Sequence, residues 1–265
     1  EMCIRDRHSR GPRPPFPLMP SPRTARSLAI ALVIATGIAV LGTGAARMLR
    51  PRPDHADPDR SRYPIAGIDI SAHNGIVDFG RAAREGGISF VYLKASEGDT
   101  FRDAAFENNY ANAREAGLSI GAYHFFRFDC EGWRQAANML RAIGPRQLDL
   151  PPAIDLEEWR NHPGAVTGEV VVQLHGMIDY LRAAGHEPVI YTNKGSHRRF
   201  VRGRFDDIGL WISSFTDPPI SRADWLFWQH SHSGRIPGVP GPVDLNTFCG
   251  DSADWHSALR HWRTQ

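Results

Sequence analysis

Four acidic residues stand in or directly after short apolar segments, where a carboxyl group could act as an acid, a base or a metal ligand. They are Asp69 in Gly-Ile-Asp-Ile-Ser, Asp155 and Glu157 in Ala-Ile-Asp-Leu-Glu, and Asp244 in Val-Asp-Leu-Asn. Because side chains alternate along a strand, Asp155 and Glu157 point to the same face. Carboxyl groups that lie close together raise the pKa of at least one of them. In such a cluster one carboxyl group keeps its proton and can donate it, while its neighbour is ionised, and glycoside hydrolysis requires both.

The same carboxylates could instead bind a divalent cation, because Mg²⁺ and Ca²⁺ prefer oxygen ligands. Three histidines at other expected strand ends are compatible with a hydrolytic metal site: His73, His124 and His230. The chain has three cysteines and no Cys-x-x-Cys pair, which argues against the common kind of structural zinc site. Cys130 and Cys249 could form a disulfide in an oxidising compartment or remain thiols.

Aromatic residues collect around the same segment ends, and sugar rings stack their C–H faces on such side chains. The set is Tyr123, Phe125, Phe126, Trp159, Tyr191, Trp211, Phe215 and Trp228. Tyr123 and Tyr191 are the better candidates for binding, because a phenol near acids can hydrogen-bond them. We expect Phe125 and Trp228 to be core residues, whereas His124 fits packing and ligand contact equally well.

The segments that position these residues alternate between strand and helix from Tyr63 onward. Strands are predicted at Ala66–Ser71, Ile88–Ser96, Leu118–Phe126, Ala153–Glu157, Pro188–Asn193, Leu210–Phe215, Leu226–Ser231 and Val243–Phe248. Helices are predicted at Asp78–Glu85, Phe101–Ala116, Glu131–Ile143, Thr167–Ala184 and Lys194–Val201. After the fifth unit, loops rich in proline and glycine replace the helices.

This order predicts an α/β fold, an irregular TIM-like barrel with five β/α units and three further strands, (β/α)5(β)3. An open doubly wound sheet is the alternative, but no glycine-rich nucleotide-binding turn follows the first strand. Barrel closure would place the last strand beside the first. Functional residues of such barrels lie at the C-terminal ends of the strands, where the four acids are expected.

Charge separates the first 62 residues from the rest. Up to Arg62 there are 11 Lys and Arg against 5 Asp and Glu, and after it 20 against 24. The net acidic part argues against nucleic-acid binding, which needs a clustered basic face. We interpret residues 1–18 as non-native upstream translation or a disordered tail, 19–46 as a signal peptide or signal anchor, 47–62 as a disordered linker and 63–265 as the barrel domain.

Leu28–Ala46 carries no charge over 19 residues, follows Arg23 and Arg26, and supports two interpretations. The small residues Gly44-Ala45-Ala46 are typical of a cleavage site in a secreted protein. The same length approaches the roughly 30 Å of a bilayer core, so an uncleaved inner-membrane anchor at residues 28–46 is the alternative. In both cases we expect an exported domain, periplasmic or extracellular, that works as a monomer.

Taken in order, the motifs resemble those of glycoside hydrolase family 25, the lysozyme (N-acetylmuramidase) family. They are Gly67-Ile-Asp-Ile-Ser71, Phe90-Val-Tyr-Leu-Lys-Ala-Ser-Glu-Gly98, Gly121-Ala-Tyr-His-Phe125, Pro152-Ala-Ile-Asp-Leu-Glu157, Ile190-Tyr-Thr192, Leu210-Trp-Ile212, Trp228-Gln229 and Val243-Asp-Leu-Asn-x-Phe248. The resemblance spans almost all of residues 65–250 and implies the same irregular barrel. Trp211-Ile-Ser-Ser-Phe215 departs from the pattern, which often has Ala and Tyr in place of Ser and Phe.

The resemblance implies hydrolysis of the β-1,4 bond between N-acetylmuramic acid and N-acetylglucosamine in peptidoglycan glycan strands, without metal or another cofactor. It implies that Glu157 is the general acid and that Asp155 holds the acetamido group or stabilises the developing positive charge. Asp69 and Asp244 would line the floor. The implied substrate contacts are Tyr123, His124, Tyr191, Trp211, Glu97 and Gln229.

Two other functions stay open from the sequence. A catalytically inactive cell-wall-binding module would keep the fold without cleavage, although an inert descendant has no reason to keep all four acids. A metal-dependent phosphoesterase on a similar barrel would need divalent ions. The stereochemical route, retention or inversion, also stays open.

Overall fold

The computed structural model describes residues 55–162, 164–216, 219 and 225–263. The strands in this part of the chain are β1 Ala66–Ile70, β2 Ile88–Glu97, β3 Phe101–Arg102, β4 Ser119–Phe125, β5 Ala153–Asp155, β6 Val189–Asn193, β7 Gly209–Ser213, β8 Phe227–Gly234 and β9 Val243–Phe248. The helices are α1 Phe79–Gly86, α2 Phe106–Glu115, α3 Gly132–Ile143, α4 Thr167–Ala183, the short α5 Lys194–Ser196 and α6 Ser252–Trp262. A π-helical turn, His197–Val201, follows α5, and a 3-10 turn, Ala72–Asn74, follows β1.

Strand β1 closes the sheet into a barrel, because it pairs in parallel with β2 on one side and antiparallel with β9 on the other. From β2 the parallel neighbours are β4, β5, β6, β7 and β8 in turn, and β9 runs antiparallel to β8. The predicted irregular barrel with helices in its first five units is therefore confirmed. Strand β3 lies outside this ring, as a short hairpin partner of β2.

The predicted start of the helix between β2 and β4 was wrong, because the sequence pattern before Phe106 is also helical. The helix expected over Phe101–Ala116 begins only at Phe106, and Phe101 with Arg102 forms the hairpin with β2. Asp103 fixes this change of direction, since its carboxylate accepts the backbone N–H of Ala105 at 2.9 Å and of Ala72 at 3.1 Å. Pairing across the sheet thus overrides a helical preference that continues into α2.

Two further segments differ from the prediction. His55 and Ala56 belong to the expected disordered linker, yet they pair with β8: His55 forms a bridge with Ser231, and the N–H of Ala56 donates to the carbonyl of His230 at 2.6 Å. Helix α6 was not predicted. It begins with a capping box in which Asp251 accepts the N–H groups of Ala253 and Asp254, and its Trp255 is buried against the barrel.

The outer core lies between the strands and the helices. Its strand side includes Ile68, Val91, Leu93, Ile120, Ile154 and Leu156, and its helix side includes Phe79, Met139, Leu174, Ile178 and Leu181. Because Ile154 and Leu156 face the helices, the alternating residues Asp155 and Glu157 face the barrel interior. The burial of Ile154 and Leu156 against the helices therefore directs the side chains of Asp155 and Glu157 into the barrel.

Aromatic rings fill the barrel interior. Tyr92 stacks on Trp211 with 4.5 Å between ring centroids, and Phe90 lies 5.3 Å from Phe227. Gly121 makes room for them, because a Cβ there would stand 2.3 Å from the Tyr92 ring. Helix α6 covers the end at which the parallel strands begin. The packed interior leaves the C-terminal strand ends, called the mouth below, as the place for a site.

Residues 1–54 lie outside the described part of the chain, and with them the predicted signal peptide or anchor. No helix among the described residues is long and apolar enough to cross a membrane. Cys130 and Cys249, both described, do not form a disulfide with each other.

Candidate active site

The four predicted acids meet at the mouth of the barrel. Asp69 and Asp244 are direct cross-strand neighbours in the antiparallel pair of β1 and β9. Asp155 ends β5, Glu157 follows two residues later, and the charges of Glu157 and Asp69 both act on Asp155. The paired ends of β1 and β9 supply Asp69 and Asp244, and the end of β5 supplies Asp155 and Glu157 from the other side of the barrel, so the four carboxyl groups share one mouth.

Asp155 is buried without compensation. Its side chain is 9% exposed, and Oδ1 has no hydrogen-bond partner among the described residues. Burial, and after it the charges of Glu157 and Asp69, raise the pKa of Asp155 well above its usual value. A buried polar atom without a partner is costly, so this oxygen is poised to bind a group supplied by a ligand.

Glu157 is held in place by the element that follows β6. The side-chain amide of Asn193 donates to Glu157 Oε1 at 2.8 Å. The Asn193 oxygen cannot take that position, because it caps α5 by accepting the N–H groups of Gly195 and Ser196. Burial raises the pKa of Glu157, although the Asn193 hydrogen bond acts in the opposite direction. The arrangement yields an oriented carboxyl group that retains its proton more readily than an exposed glutamate.

The backbone around Glu157 is pinned from two sides. Thr192 Oγ1 donates to the carbonyl of Leu156 at 2.8 Å, and the side-chain amide of Asn161 donates to the carbonyl of Glu157 at 2.7 Å. The Asn161 amide also donates to the carbonyl of Phe126 at 3.0 Å. These bonds hold Glu157 in a fixed position although it lies beyond the last residue of β5.

Asp69 receives two amide donors on one oxygen. Gln229 Nε2 lies 3.0 Å and Asn246 Nδ2 lies 2.8 Å from Asp69 Oδ2. Both amides are oriented by hydroxyl or indole donors from the barrel interior: Tyr191 and Ser213 donate to Gln229 Oε1, and Trp211 donates to Asn246 Oδ1. Burial, followed by the charge of Asp244, raises the pKa of Asp69 to about 8. Asp69 thus holds a proton at neutral pH.

This network changes the expected role of three predicted contact residues. Tyr191, Trp211 and Gln229 are almost fully buried, and their polar atoms face the amide groups or Asp69. They support the floor of the mouth. Tyr123 is half-buried and lies within the field of three of the acids, Asp69, Asp155 and Asp244, which adds to burial in raising its pKa. Of the predicted tyrosines, Tyr123 is the one placed to meet a ligand.

His124 requires a correction. Its ring has no exposed area, and its nitrogens are engaged by Ser96 Oγ at 2.8 Å and by Gln135 Oε1 at 3.1 Å. Gln135 belongs to α3, so the ring faces the helix layer while Tyr123 faces the mouth. Burial lowers the pKa of His124 to about 4, which leaves it neutral. His124 is a packing residue and cannot contact a ligand in the mouth.

Glu97 lies at the edge of the mouth with a cation that sequence reasoning missed. Lys94 is buried, and its ammonium group donates to Glu97 Oε2 at 2.8 Å. The same ammonium lies 5.4 Å from the Phe101 ring and 5.5 Å from the Phe125 ring. Alternation along β2 could have shown that Lys94 follows Tyr92 into the barrel.

The histidines considered for a metal site do not come together. His73 stands in the 3-10 turn beside Ser71 Oγ, at 3.3 Å, and His230 Nδ1 lies 3.0 Å from the carbonyl oxygen of Ala56. Within the described ranges, no group of three or more His, Cys, Asp or Glu side chains is arranged to hold a metal ion.

Most of the aromatic candidates are core residues. Phe125 and Trp228 are buried, as expected, and Phe126 is buried as well. By contrast, Trp159 is 67% exposed in the loop that follows Glu157. The side chain of Arg127 donates to the carbonyl of Arg160 in that loop at 2.8 Å. Because this hydrogen bond holds the loop, the exposed indole of Trp159 offers a flat apolar surface to a ligand.

Known proteins resemble this chain over most of its described length. The family model for glycosyl hydrolases family 25 matches residues 68–239. The chain is 32% identical to the uncharacterized protein YegX of Escherichia coli K12 over 207 residues, which are 76% of this chain and 75% of that protein. It is also 32% identical to Lysozyme M1 of Streptomyces globisporus, covering 71% and 69% of the two chains. A family 25 glycosyl hydrolase structure from Bacillus anthracis superposes with a TM-score of 0.69 at 28% identity, covering 78% and 98%.

Proposed function

We infer that this chain, which belongs to glycosyl hydrolase family 25, is a lysozyme that cleaves peptidoglycan. The bond cleaved is the β-1,4 linkage between N-acetylmuramic acid and N-acetylglucosamine. The family match supports the reaction class, and the observation that carries the assignment to the mouth is the pair formed by Asp155 and Glu157. One is a buried carboxyl group with an unpartnered oxygen, and the other is an oriented carboxyl group with a raised pKa.

Glu157 acts as the general acid. Burial raises its pKa, which favours the protonated form, and Asn193 holds the carboxyl group in one orientation. Protonation of the glycosidic oxygen lets the sugar leave as a neutral alcohol, which is the step that a general acid accelerates by about 10² to 10⁴-fold. Once that proton is transferred, the resulting carboxylate can take a proton from the water that completes hydrolysis.

Asp155 holds the 2-acetamido group of the muramic acid ring. Its Oδ1 can accept the N–H of that group, which would satisfy the buried atom that has no partner in the protein. As the bond to the leaving oxygen breaks, positive charge develops at the anomeric carbon and on a participating acetamide. That charge favours the ionised form of Asp155, and the buried carboxylate stabilises the charge better than it would in water.

Asp69 and Asp244 line the floor and shape the charge of the mouth. Asp69 keeps a proton because it is buried beside Asp244, so the floor adds less negative charge than two aspartates normally would. If Asp69 ionises, its charge adds to burial in raising the pKa of Asp155. The floor therefore supports the acid pair without entering bond cleavage.

Sugar contacts come from the exposed rim of the mouth. Tyr123 lies among the acids, Glu97 lies beside Lys94, and Trp159 presents its ring on the loop after Glu157. A pyranose ring packs its C–H face on such an indole, and its hydroxyl groups meet the polar residues nearby. Glycan strands of peptidoglycan supply such rings in a continuous row.

A peptidoglycan substrate requires the domain to work outside the cytoplasm. Residues 19–46 would direct export, either as a cleaved signal peptide or as an inner-membrane anchor. In the periplasm or the extracellular space, the barrel would act as a monomer on glycan strands.

The products test this proposal. The purified chain is incubated with peptidoglycan, the new reducing ends are reduced with borohydride, and the fragments are identified by mass spectrometry. We expect reduced muramic acid at the new ends and the same rate in the presence of EDTA. Reduced glucosamine would overturn the bond assignment. Binding without soluble fragments would instead favour an inactive wall-binding module, and loss of cleavage in EDTA would favour a metal-dependent enzyme.

A further inference from the structure

An imidazole that the proposed reaction does not use stands at the rim of the mouth. Strand β8 continues to Gly234, past the predicted end at Ser231, and carries His232 over the floor. His232 Nδ1 lies 3.2 Å from Asp244 Oδ1, and the ring packs edge-on against Phe215 with 4.2 Å between centroids. The side chain is 51% exposed, so it exchanges protons freely with solvent.

His232 ends a chain of hydrogen bonds that begins in the barrel interior. The amides of Gln229 and Asn246 donate to Asp69 Oδ2, and Asp244 lies directly across the strand pair from Asp69, where the two carboxyl groups can share a hydrogen bond. A bond between two carboxyl groups needs one proton, because two carboxylates have nothing to donate. The position of that proton decides which of the two aspartates carries the negative charge.

We propose that His232 is a positioning residue that fixes Asp244 as the ionised member of this pair. As an imidazolium it donates from Nδ1 to Asp244, which favours the carboxylate there and leaves the shared proton on Asp69. Among the described residues, the charged groups that act on His232 are acids: Asp244 on β9, Asp69 on β1 and Glu157 after β5. The imidazolium thus places a cation beside these three carboxyl groups, in addition to the Lys94 ammonium beside Glu97, and it takes no part in bond cleavage.

The pKa shifts of His232 and Glu157 are both consistent with an imidazolium beside the acids. The hydrogen bond that His232 donates to Asp244 raises the pKa of His232, so its proton is held more tightly than in a free histidine. In return, the His232 charge lowers the pKa of Glu157. His232 therefore limits how far burial can raise the pKa of the general acid. This consequence for the rate rests on the proposed lysozyme function, whereas the hydrogen-bond chain does not.

The chain itself is tested by NMR of the imidazole nitrogens in the full protein without substrate. The His232 signal is assigned from its loss in His232→Gln, and its titration is followed in the wild type and in Asp244→Asn. We expect a pKa above the ordinary value of about 6.5 in the wild type and a decrease in Asp244→Asn. An ordinary pKa that does not respond to Asp244→Asn would overturn the proposal.

The effect on the reaction is tested by the pH profile of kcat/KM. In His232→Gln the side-chain amide can still donate to Asp244, but the cation is gone. We expect the alkaline limb of the profile to move to higher pH by about half a unit, because Glu157 then keeps its proton longer. A merely structural histidine would change the rate without moving the limb. The control is His256→Gln on the exposed face of α6, which should leave the profile in place.

The two experiments separate this inference from the proposed function. If the chain cleaves peptidoglycan and the limb does not move in His232→Gln, the inference is wrong and the function stands. If the chain does not cleave peptidoglycan while His232 titrates as expected, the function is wrong and the hydrogen-bond chain stands.

Discussion

Each end of the barrel buries an aspartate, and the two are treated in opposite ways. At the base, Asp149 is 5% exposed, and it accepts hydrogen bonds from Arg114 at 2.5 Å, from Arg263 at 3.0 Å and from the N–H of Ile120 at 3.0 Å. At the mouth, Asp155 is nearly as buried, but its Oδ1 has no partner among the described residues. Burial of the aspartate is thus offset by hydrogen bonds and arginine charges at the base, but Oδ1 of the aspartate at the mouth has no such partner.

This difference indicates that Asp149 stabilises the fold and that Asp155 serves the function of the site. Asp149 connects α2, the start of β4 and the end of α6, so its charge holds three elements together. Asp155 connects nothing through Oδ1, and its burial beside other acids costs free energy in the empty protein. That cost is recovered when a ligand supplies a donor. An unpaired buried acid at the mouth is available to a ligand, whereas the paired acid at the base stabilises the barrel.

The base is closed by aromatic rings and paired charges. Trp255 of α6 packs on Phe90 and Phe248 with centroids 5.4 and 5.1 Å apart. A cavity of about 330 Å³ lies at this end, but the arginines that line it are paired: Arg146 with Glu107 and Arg263 with Asp149. No described acid at the base combines burial with a missing partner, so the cavity lacks the chemistry of the mouth.

The largest expected effect on the rate comes from Glu157→Gln at the mouth. We expect kcat to fall by about 10³-fold, because the amide cannot protonate the leaving oxygen, while the melting temperature stays within a degree or two. The matched control is Glu158→Gln, since Glu158 is the next residue and its carboxylate pairs with Arg199 on the surface. Equal losses in the two variants would contradict the role of Glu157.

The largest expected effect on stability comes from Trp255→Ala at the base. Removing this buried indole should lower the free energy of unfolding by about 3 to 5 kcal/mol, because the rings of α6, β2 and β9 lose their common contact. Chemical denaturation measures the change. The rate per folded molecule should stay close to wild type, and a loss of kcat in the folded fraction would show that the two ends are not independent.

The floor of the mouth should make stability depend on pH. The pKa of Asp69 is about 8 in the folded chain and about 3.9 in the unfolded chain, so the folded state binds more protons between these values. Its contribution to stability is therefore present at low pH and is lost as pH rises toward 8. We expect the melting temperature to fall less between pH 5 and pH 8 in Asp69→Asn, because asparagine imitates the protonated acid.

Asp207→Asn is the control for that experiment. Asp207 is exposed, and its hydrogen bond with Arg182 lowers its pKa, so it is ionised in both states throughout this pH range. Its variant should keep the wild-type slope. A slope in Asp69→Asn equal to that of the wild type would mean that Asp69 does not hold a proton at neutral pH.

The smallest expected effect comes from the rim. Trp159→Ala should raise KM on peptidoglycan about fivefold with kcat nearly unchanged, which corresponds to about 1 kcal/mol of lost stacking. Trp133→Ala is the matched control, because Trp133 is 49% exposed and has an arginine 5.2 Å above its ring, much as Arg160 lies 5.4 Å above Trp159. An equal rise in both variants would remove Trp159 from the proposed sugar contacts.

Much of the mouth could be predicted because strand alternation is a local rule. Ile154 and Leu156 had to face the helices, so Asp155 and Glu157 had to face inward. The same rule, applied to Tyr123 and His124, would have excluded His124 from the mouth, since neighbours in a strand face opposite ways. What lay within one element was therefore predictable from its pattern.

What depends on contacts between elements was not predictable. Asn193 orients Glu157 only because its oxygen caps the helix after β6. His232 reaches Asp244 only because the pairing of β8 with β9 shifts between Ser231 and Gly234. The hairpin at Phe101 likewise follows from pairing with β2 that no local pattern contains.

Exchanging each buried aspartate for asparagine tests the contrast between mouth and base most directly. Asp155→Asn and Asp149→Asn are compared by the free energy of unfolding and by kcat on peptidoglycan at pH 7. We predict that Asp149→Asn loses about 3 kcal/mol of stability, because two arginines lose their charge partner, with kcat retained in the folded protein. Asp155→Asn should lose about 10²-fold in kcat with stability unchanged or increased. The opposite pattern, or one in which both variants lose stability and activity together, would contradict the division of the barrel into a structural base and a reactive mouth.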